Sequence, residues 1–186
     1  MKWIGNRISY QQHDGFFTMI ITSKTEDWKM IAMIVWLIIW LGCGSIIFYF
    51  LLFTNELKTQ HIYFYTFLGF WFYFLYKILR VIIWRKFGQE FIRIDDDRFS
   101  IKKSIFGYGS AKTFLTKNIN NFKIQLLKNN SFSKVFNDSF WIVGQGTIIV
   151  DVLGKEYNFG AQVSKENGQK AAKILNLKIN KIKSAS

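Results

Sequence analysis

The sequence predicts an α+β membrane protein: a hairpin of two transmembrane helices, then a seven-stranded antiparallel β-domain that ends in a helix. Three observations carry that prediction. Residues 30–53, "MIAMIVWLIIWLGCGSIIFYFLLF", run for 24 positions without a formal charge, more than the roughly 20 needed to cross a bilayer core of about 30 Å. Residues 62–84 form a second apolar stretch of 23 positions, broken only by Lys77 and Arg80. After Trp84 come short runs in which apolar and polar residues tend to alternate, the period of a half-buried strand.

Residues 1–25 are expected to form an N-terminal segment with a β-hairpin. In "RISYQQHDGFFTMIIT" two β-prone runs, 7–12 and 16–22, flank Asp14 and Gly15, and Asp-Gly suits the positive φ of a type I′ turn. "TSKTEDW" supplies Thr25 as an N-cap, a helix start at Glu26, and acidic Glu26 and Asp27 at the positive end of the dipole. The helical hairpin then occupies residues 26–86, with helices over about 28–53 and 62–84. A core helix of a soluble domain would carry an apolar stripe rather than an apolar circumference. A cleaved signal peptide is not expected either, since the first run is too long for one and lacks a small-residue cleavage pattern.

Charge sets the orientation. The linker "TNELKTQH", 54–61, holds one Lys and one Glu, whereas Lys24 and Lys29 precede the first span and Arg85, Lys86, Arg93 and Arg98 follow the second. The positive-inside rule therefore puts both termini in the cytoplasm. The formal net charge is +13, and residues 85–186 contribute +10 of it, from 18 Lys or Arg against 8 Asp or Glu. Beneath an anionic leaflet each nearby cation adds about 1 kcal/mol of attraction, although a chain rich in Lys, Asn, Ile and Phe and without Pro is also basic by composition alone. Nucleic acid is not an expected partner, because no groove-reading motif accompanies the charge. Cys43 is the single cysteine, which rules out an intrachain disulfide and a cysteine-rich metal site; it reads as a small packing residue inside the membrane.

The β-domain is expected over residues 87–177. Strands are read at Phe91–Ile94 and Phe99–Ile101, then over 110–115, 119–128, 140–143, 147–152 and 156–159, with turn residues between them at Gly107, Gly109, Asn129, Asn130, "GQG" 144–146 and "LGK" 153–155. Ser164 caps a last helix from Lys165, whose apolar face is Ala171, Ala172, Ile174 and Leu175. A basic tail, 178–186, is expected to fray.

The order of these elements, with the aromatic-basic junction into "FGQE", the strand "FIRIDDDRFSI" and a late "YNFG" before the final helix, resembles small bacterial two-span membrane proteins with a pleckstrin-homology-like (PH-like) domain. That resemblance implies a PH-like sandwich or open barrel closed by the terminal helix, a location in the bacterial cytoplasmic membrane, and a fold more than an activity.

No residue pattern points to catalysis, a cofactor or a metal. Asp95, Asp96 and Asp97 are adjacent, so along an extended chain they face opposite sides; they suit a turn through side chain to backbone bonding. His13 and His61 fall on opposite sides of the membrane. "GQGT", 144–147, lacks the helix and lysine of a phosphate loop. An enzyme is not expected. The informative cluster is Lys77, Arg80 and Trp84 on one face of the second helix, with Arg85 and Lys86 at its exit. It reads as a membrane-interface anchor, with Trp28, Trp71 and Trp84 as belt residues, or as an anionic-lipid headgroup site. Phe132 and Phe136 are candidate partner contacts in the irregular stretch "NNSFSKVFNDSFW", while Phe140 and Trp141 suit either a contact or the core. The expected role is a non-enzymatic accessory, assembly or scaffold subunit bound to other membrane proteins, the alternative an anionic-lipid-binding or lipid-handling protein.

Overall fold

The computed structural model describes residues 1–53, 61–125, 139, 141–144 and 146–184. Strands β1 (Lys2–Ile4), β2 (Ile8–Gln12), β3 (Phe16–Thr22), β4 (Gly88–Asp95), β5 (Arg98–Ile105) and β6 (Ala111–Leu115) lie in that order in one antiparallel sheet, and β7 (Ile119–Ile124), β8 (Ile148–Val152) and β9 (Lys155–Phe159) form a second. Helices α1 (Asp27–Phe53) and α2 (His61–Phe87) fall between β3 and β4 in the chain, and α3 (Lys165–Lys183) follows β9.

This order corrects the expected organisation. The N-terminal hairpin is not a separate segment, because β3 pairs with β4 along its length, from Phe16 opposite Asp95 to Thr22 opposite Gln89. Among the described residues nine strands form, three before the helices and six after them, so the β-domain keeps six of its expected seven and the N-terminal pair gains β1. The expected strand over 140–143 is not seen at its described residues: Trp141 to Val143 lie in a turn and the loop after it. Those residues serve the helices instead. The Trp141 ring meets Trp36 edge-on at 5.7 Å, and the Ile142 carbonyl accepts from Arg85.

Local chemistry explains the turns. Gly15 takes φ 86° between β2 and β3 while the His13 amide donates to the Phe16 carbonyl at 2.8 Å. Asp96 and Asp97 form the tight link from β4 to β5, with the Asp97 carbonyl accepting from the Thr116 amide at 2.9 Å and the Asp95 carboxylate from Arg93 Nε at 2.9 Å. The three aspartates therefore act in turn and strand-end geometry.

The two sheets and α3 share one core. Met19, Ile21, Ile92, Ile94 and Phe99 of the larger sheet meet Phe122, Ile148, Val150 and Phe159 of the smaller, and Ala171, Leu175 and Ile179 of α3 close the layer. Ser164 caps α3 by accepting from the Asn167 amide at 3.3 Å. The helix runs on through the expected tail to Lys183, because Ile179 extends the apolar stripe into the core and Lys183 reaches the Ile119 carbonyl.

Helices α1 and α2 are each long and apolar enough to cross a membrane, and only 11% and 22% of their most apolar windows are buried. Ile31, Ile38, Ile39, Leu52 and Phe53 of α1 point outward. The first α1 turn hangs from the Glu26 carbonyl, which accepts from the Lys29 and Met30 amides, so Glu26 and not Thr25 occupies the cap position. Hydrogen bonds from Lys29 and Trp28 hold the Glu26 carboxyl below the usual carboxylate range. Between the helices, the Trp40 indole donates to the Trp71 carbonyl at 3.2 Å and the Trp71 indole to the Trp40 carbonyl at 2.8 Å. Gly44 makes room for this exchange, since a Cβ there would lie 2.2 Å from the Trp71 ring. Trp71 and Trp84 are 5% and 6% exposed, packed inside the protein rather than turned outward, whereas Trp28 is 60% exposed. Cys43 is exposed rather than packed.

Leu175→Ala should lower unfolding stability by about 2–5 kcal/mol, as a buried leucine truncation does, measured by chemical denaturation in detergent. Lys170 donates to Glu166 at 2.6 Å and holds its carboxyl below the ordinary range. The support this pair gives the first turn of α3 is complete above the ordinary carboxylate pKa and is lost as pH falls through the lowered one. Amide exchange at residues 165–170 should therefore speed up on acidification, and Glu166→Gln should remove that dependence.

Candidate functional site

The chain passes between the sheet and the helices twice, and both passages lie side by side. On one, β3 leads through residues 23–26 into α1; on the other, α2 ends at Phe87 and β4 begins at Gly88 without a linker. The Ser23 amide donates to the Gly88 carbonyl at 3.1 Å, and its hydroxyl, buried, shares its proton between the carbonyls of Gly88, at 2.6 Å, and Trp84. Only glycine fits at 88: a Cβ would stand 2.4 Å from the Trp84 carbonyl oxygen and 2.6 Å from its ring.

A second polar group locks the same end of the domain to the smaller sheet. Arg7 donates from Nε to the Thr22 carbonyl at 2.9 Å, and from Nη1 and Nη2 to the carbonyls of Gln162 and Ala161 at 2.7 and 3.0 Å. Burial lowers the Arg7 pKa, opposed by the charge of Glu90, and the guanidinium stays protonated. Glu90 is 2% exposed, since the alternation of β4 turns Gly88, Glu90, Ile92 and Ile94 inward. Its carboxylate accepts from the Gly160 and Ala161 amides and faces Lys103 Nζ at 3.6 Å. Those amides follow β9 where Gly160 turns the chain at φ 72°, so a buried charge supplies the acceptors that a ladder no longer provides.

Beside this junction lies a cavity of about 1080 Å³ between α1, α2, the β5–β6 turn and the 141–144 loop. Lys77, Arg80 and Trp84 of α2 all line it, and Lys103 lines it from β5. The Trp84 indole nitrogen is buried and has no hydrogen-bond partner among the described residues. The other two residues of the expected cluster part company. Arg85 turns away from the interface, 1% exposed, and donates from Nη2 to the Ile142 carbonyl at 2.9 Å; it braces the loop. Lys86 stays exposed, 5.4 Å above the Phe87 ring, which itself stacks on Phe106 at 4.1 Å. Phe132, Phe136 and Phe140 lie outside the described residues.

His13 sits on the β2–β3 turn, stacked on Phe16 at 4.5 Å with its Nε2 3.1 Å from the Thr18 hydroxyl. Among the described residues no group of three His, Cys, Asp or Glu side chains could hold a metal ion. Arg7, Ser23, Glu90 and Lys103 were not singled out from the sequence. A signal existed for Glu90 alone: counting back by twos from Ile94 and Ile92 puts it on the inner face. The other three depend on pairings between distant segments.

No protein-family model matches the chain, and no curated protein matches it in sequence.

Gly88→Ala should lower the thermal midpoint in detergent, at a cost of about 1–3 kcal/mol, the usual range for overpacking. Glu90→Ala leaves the Gly160 amide unpaired and the partly buried Arg7 without its counter-charge. A loss of about 3–5 kcal/mol is expected on the same assay, and Glu90→Gln should lose less because it keeps an acceptor.

Proposed function

We propose that the chain crosses the bacterial cytoplasmic membrane twice and holds a PH-like domain in fixed orientation at its inner surface, as a non-enzymatic accessory, assembly or scaffold subunit for other membrane proteins. The outward apolar side chains of α1 and α2 support the crossings. The PH-like reading is supported by the order of strands. β3 to β6 are four consecutive antiparallel neighbours, β7 to β9 are three, and a helix follows; the helical hairpin is then an insertion between the first two strands of that set. The basic residues that flank the helices, with few on the linker, support termini in the cytoplasm.

The observation that carries the reading is the linker-free junction. A flexible tether would raise only the local concentration of the domain. Here α2 becomes β4, and Ser23 bonds across to Gly88, so the domain cannot swivel against the helices. A fixed angle matters when a neighbour in the same membrane must be met in one geometry. The exposed Phe87, Phe106 and Tyr108, at 39%, 60% and 84%, cluster at this end of the domain, where aromatic side chains suit the headgroup layer.

Isolation of the full-length protein from its native membranes in mild detergent should yield a second membrane protein in fixed ratio. Gly88→Ala, where it still inserts, should weaken that association by loosening the junction. A chain that elutes alone from those membranes, or reporter fusions that place the C-terminus outside the cell, would refute the reading.

A further inference from the structure

We propose that the cavity beside the junction binds one anionic phospholipid, its phosphate among Lys77, Arg80 and Lys103 and the start of an acyl chain along the aromatic wall of the helices. The inference rests on the bilayer placement proposed above and adds a ligand to it.

Three features of the cavity point to this chemistry. The first is charge. Lys77, Arg80 and Lys103 line the cavity, and among the described lining residues there is no Asp or Glu. The nearest carboxylate to Lys103, Glu90, stands 3.6 Å from Nζ and already accepts from two backbone amides. Cations gathered beside apolar walls call for an anion, since attraction strengthens where water is displaced. The second is an unmet donor at the cavity wall: Trp84, a lining residue, is 6% exposed, and its indole N–H has no acceptor among the described residues.

The third is shape. The cavity reaches from these cations along the helices to Trp36 and Phe74. Phe74 lies one turn before Lys77 on α2, and Trp36 lies nine residues, about 14 Å, into α1. Inorganic phosphate would leave that apolar end empty, whereas a lipid fills both ends. Snorkelling explains Lys77 and Arg80 as lone side chains on a membrane helix. It does not explain Lys103, which approaches from the sheet.

The test uses full-length protein, purified in mild nonionic detergent and stripped of lipid, with bound lipid counted by native mass spectrometry. Dioleoyl phosphatidylglycerol should bind at least about tenfold more tightly than dioleoyl phosphatidylcholine, and millimolar inorganic phosphate should not displace it. The double variants Lys77→Gln with Arg80→Gln, and Lys77→Gln with Lys103→Gln, should each lose about tenfold in affinity for phosphatidylglycerol. The first pair leaves the Lys103 contact to Glu90 intact, which guards against a folding defect. Lys173→Gln with Lys181→Gln, which removes the same charge from α3, should change nothing. Equal occupancy by the two lipids, unchanged binding in the cavity variants, or displacement by phosphate alone would overturn the site. A chain that stays soluble without detergent would instead overturn the bilayer placement, so the two failures are separable.

Discussion

Everything in this fold answers to the pairing of β3 with β4. Neighbouring strands lie about 4.8 Å apart, whereas packed helices stand about 8–10 Å apart. A helical hairpin inserted between two paired strands must reconcile those spacings within a few residues. The protein does so asymmetrically. α2 runs straight into β4, and the whole offset is taken up by residues 23–26 on the other side. Ser23 is small enough to enter the gap and polar enough to satisfy the carbonyls it meets there. Gly88 is the matching concession, a position where even a methyl group would strike the backbone of α2.

The polar groups around the junction follow from the same constraint. Where the chain leaves one sheet for the next element, backbone donors and acceptors lose their ladder partners, and leaving them unpaired in a buried setting costs about 1–3 kcal/mol each. Arg7 covers three such carbonyls, and Glu90 covers two amides on the segment after β9. Glu90 is buried and Arg7 half-buried, yet each is used for several bonds at once, which offsets desolvation better than a single ion pair does. The larger and smaller sheets are tied at this end by backbone recognition, and by side-chain packing elsewhere.

What was legible in the sequence was what depends on near neighbours. The two apolar helices, the Asp14-Gly15 hairpin, the aspartate turn and the Ser164 cap each follow from residues within a few positions of one another. The sheet order was not legible, because β3 and β4 are separated in the chain by both helices. Nor was the fate of Trp71 and Arg85. An aromatic or basic residue on a long apolar helix suits an interface by type, and only the packing of α1 on α2 and of the 141–144 loop on Arg85 turns these two inward. The face shared by Lys77, Arg80 and Trp84 could be read from their spacing. Its meeting with Lys103 could not, since that residue is brought there by β5.

The insertion of a helical hairpin between adjacent strands also has a consequence for biogenesis. β3 leaves the ribosome before either helix, yet its partner β4 emerges only after both have been made. In the two-span arrangement proposed above, the nascent sheet waits, with one edge open, on the side of the membrane where β4 will emerge. In that arrangement, threading one helix without returning the other would strand the two halves of the sheet in different compartments, so the proposed topology is proofread by whether a strand finds its neighbour.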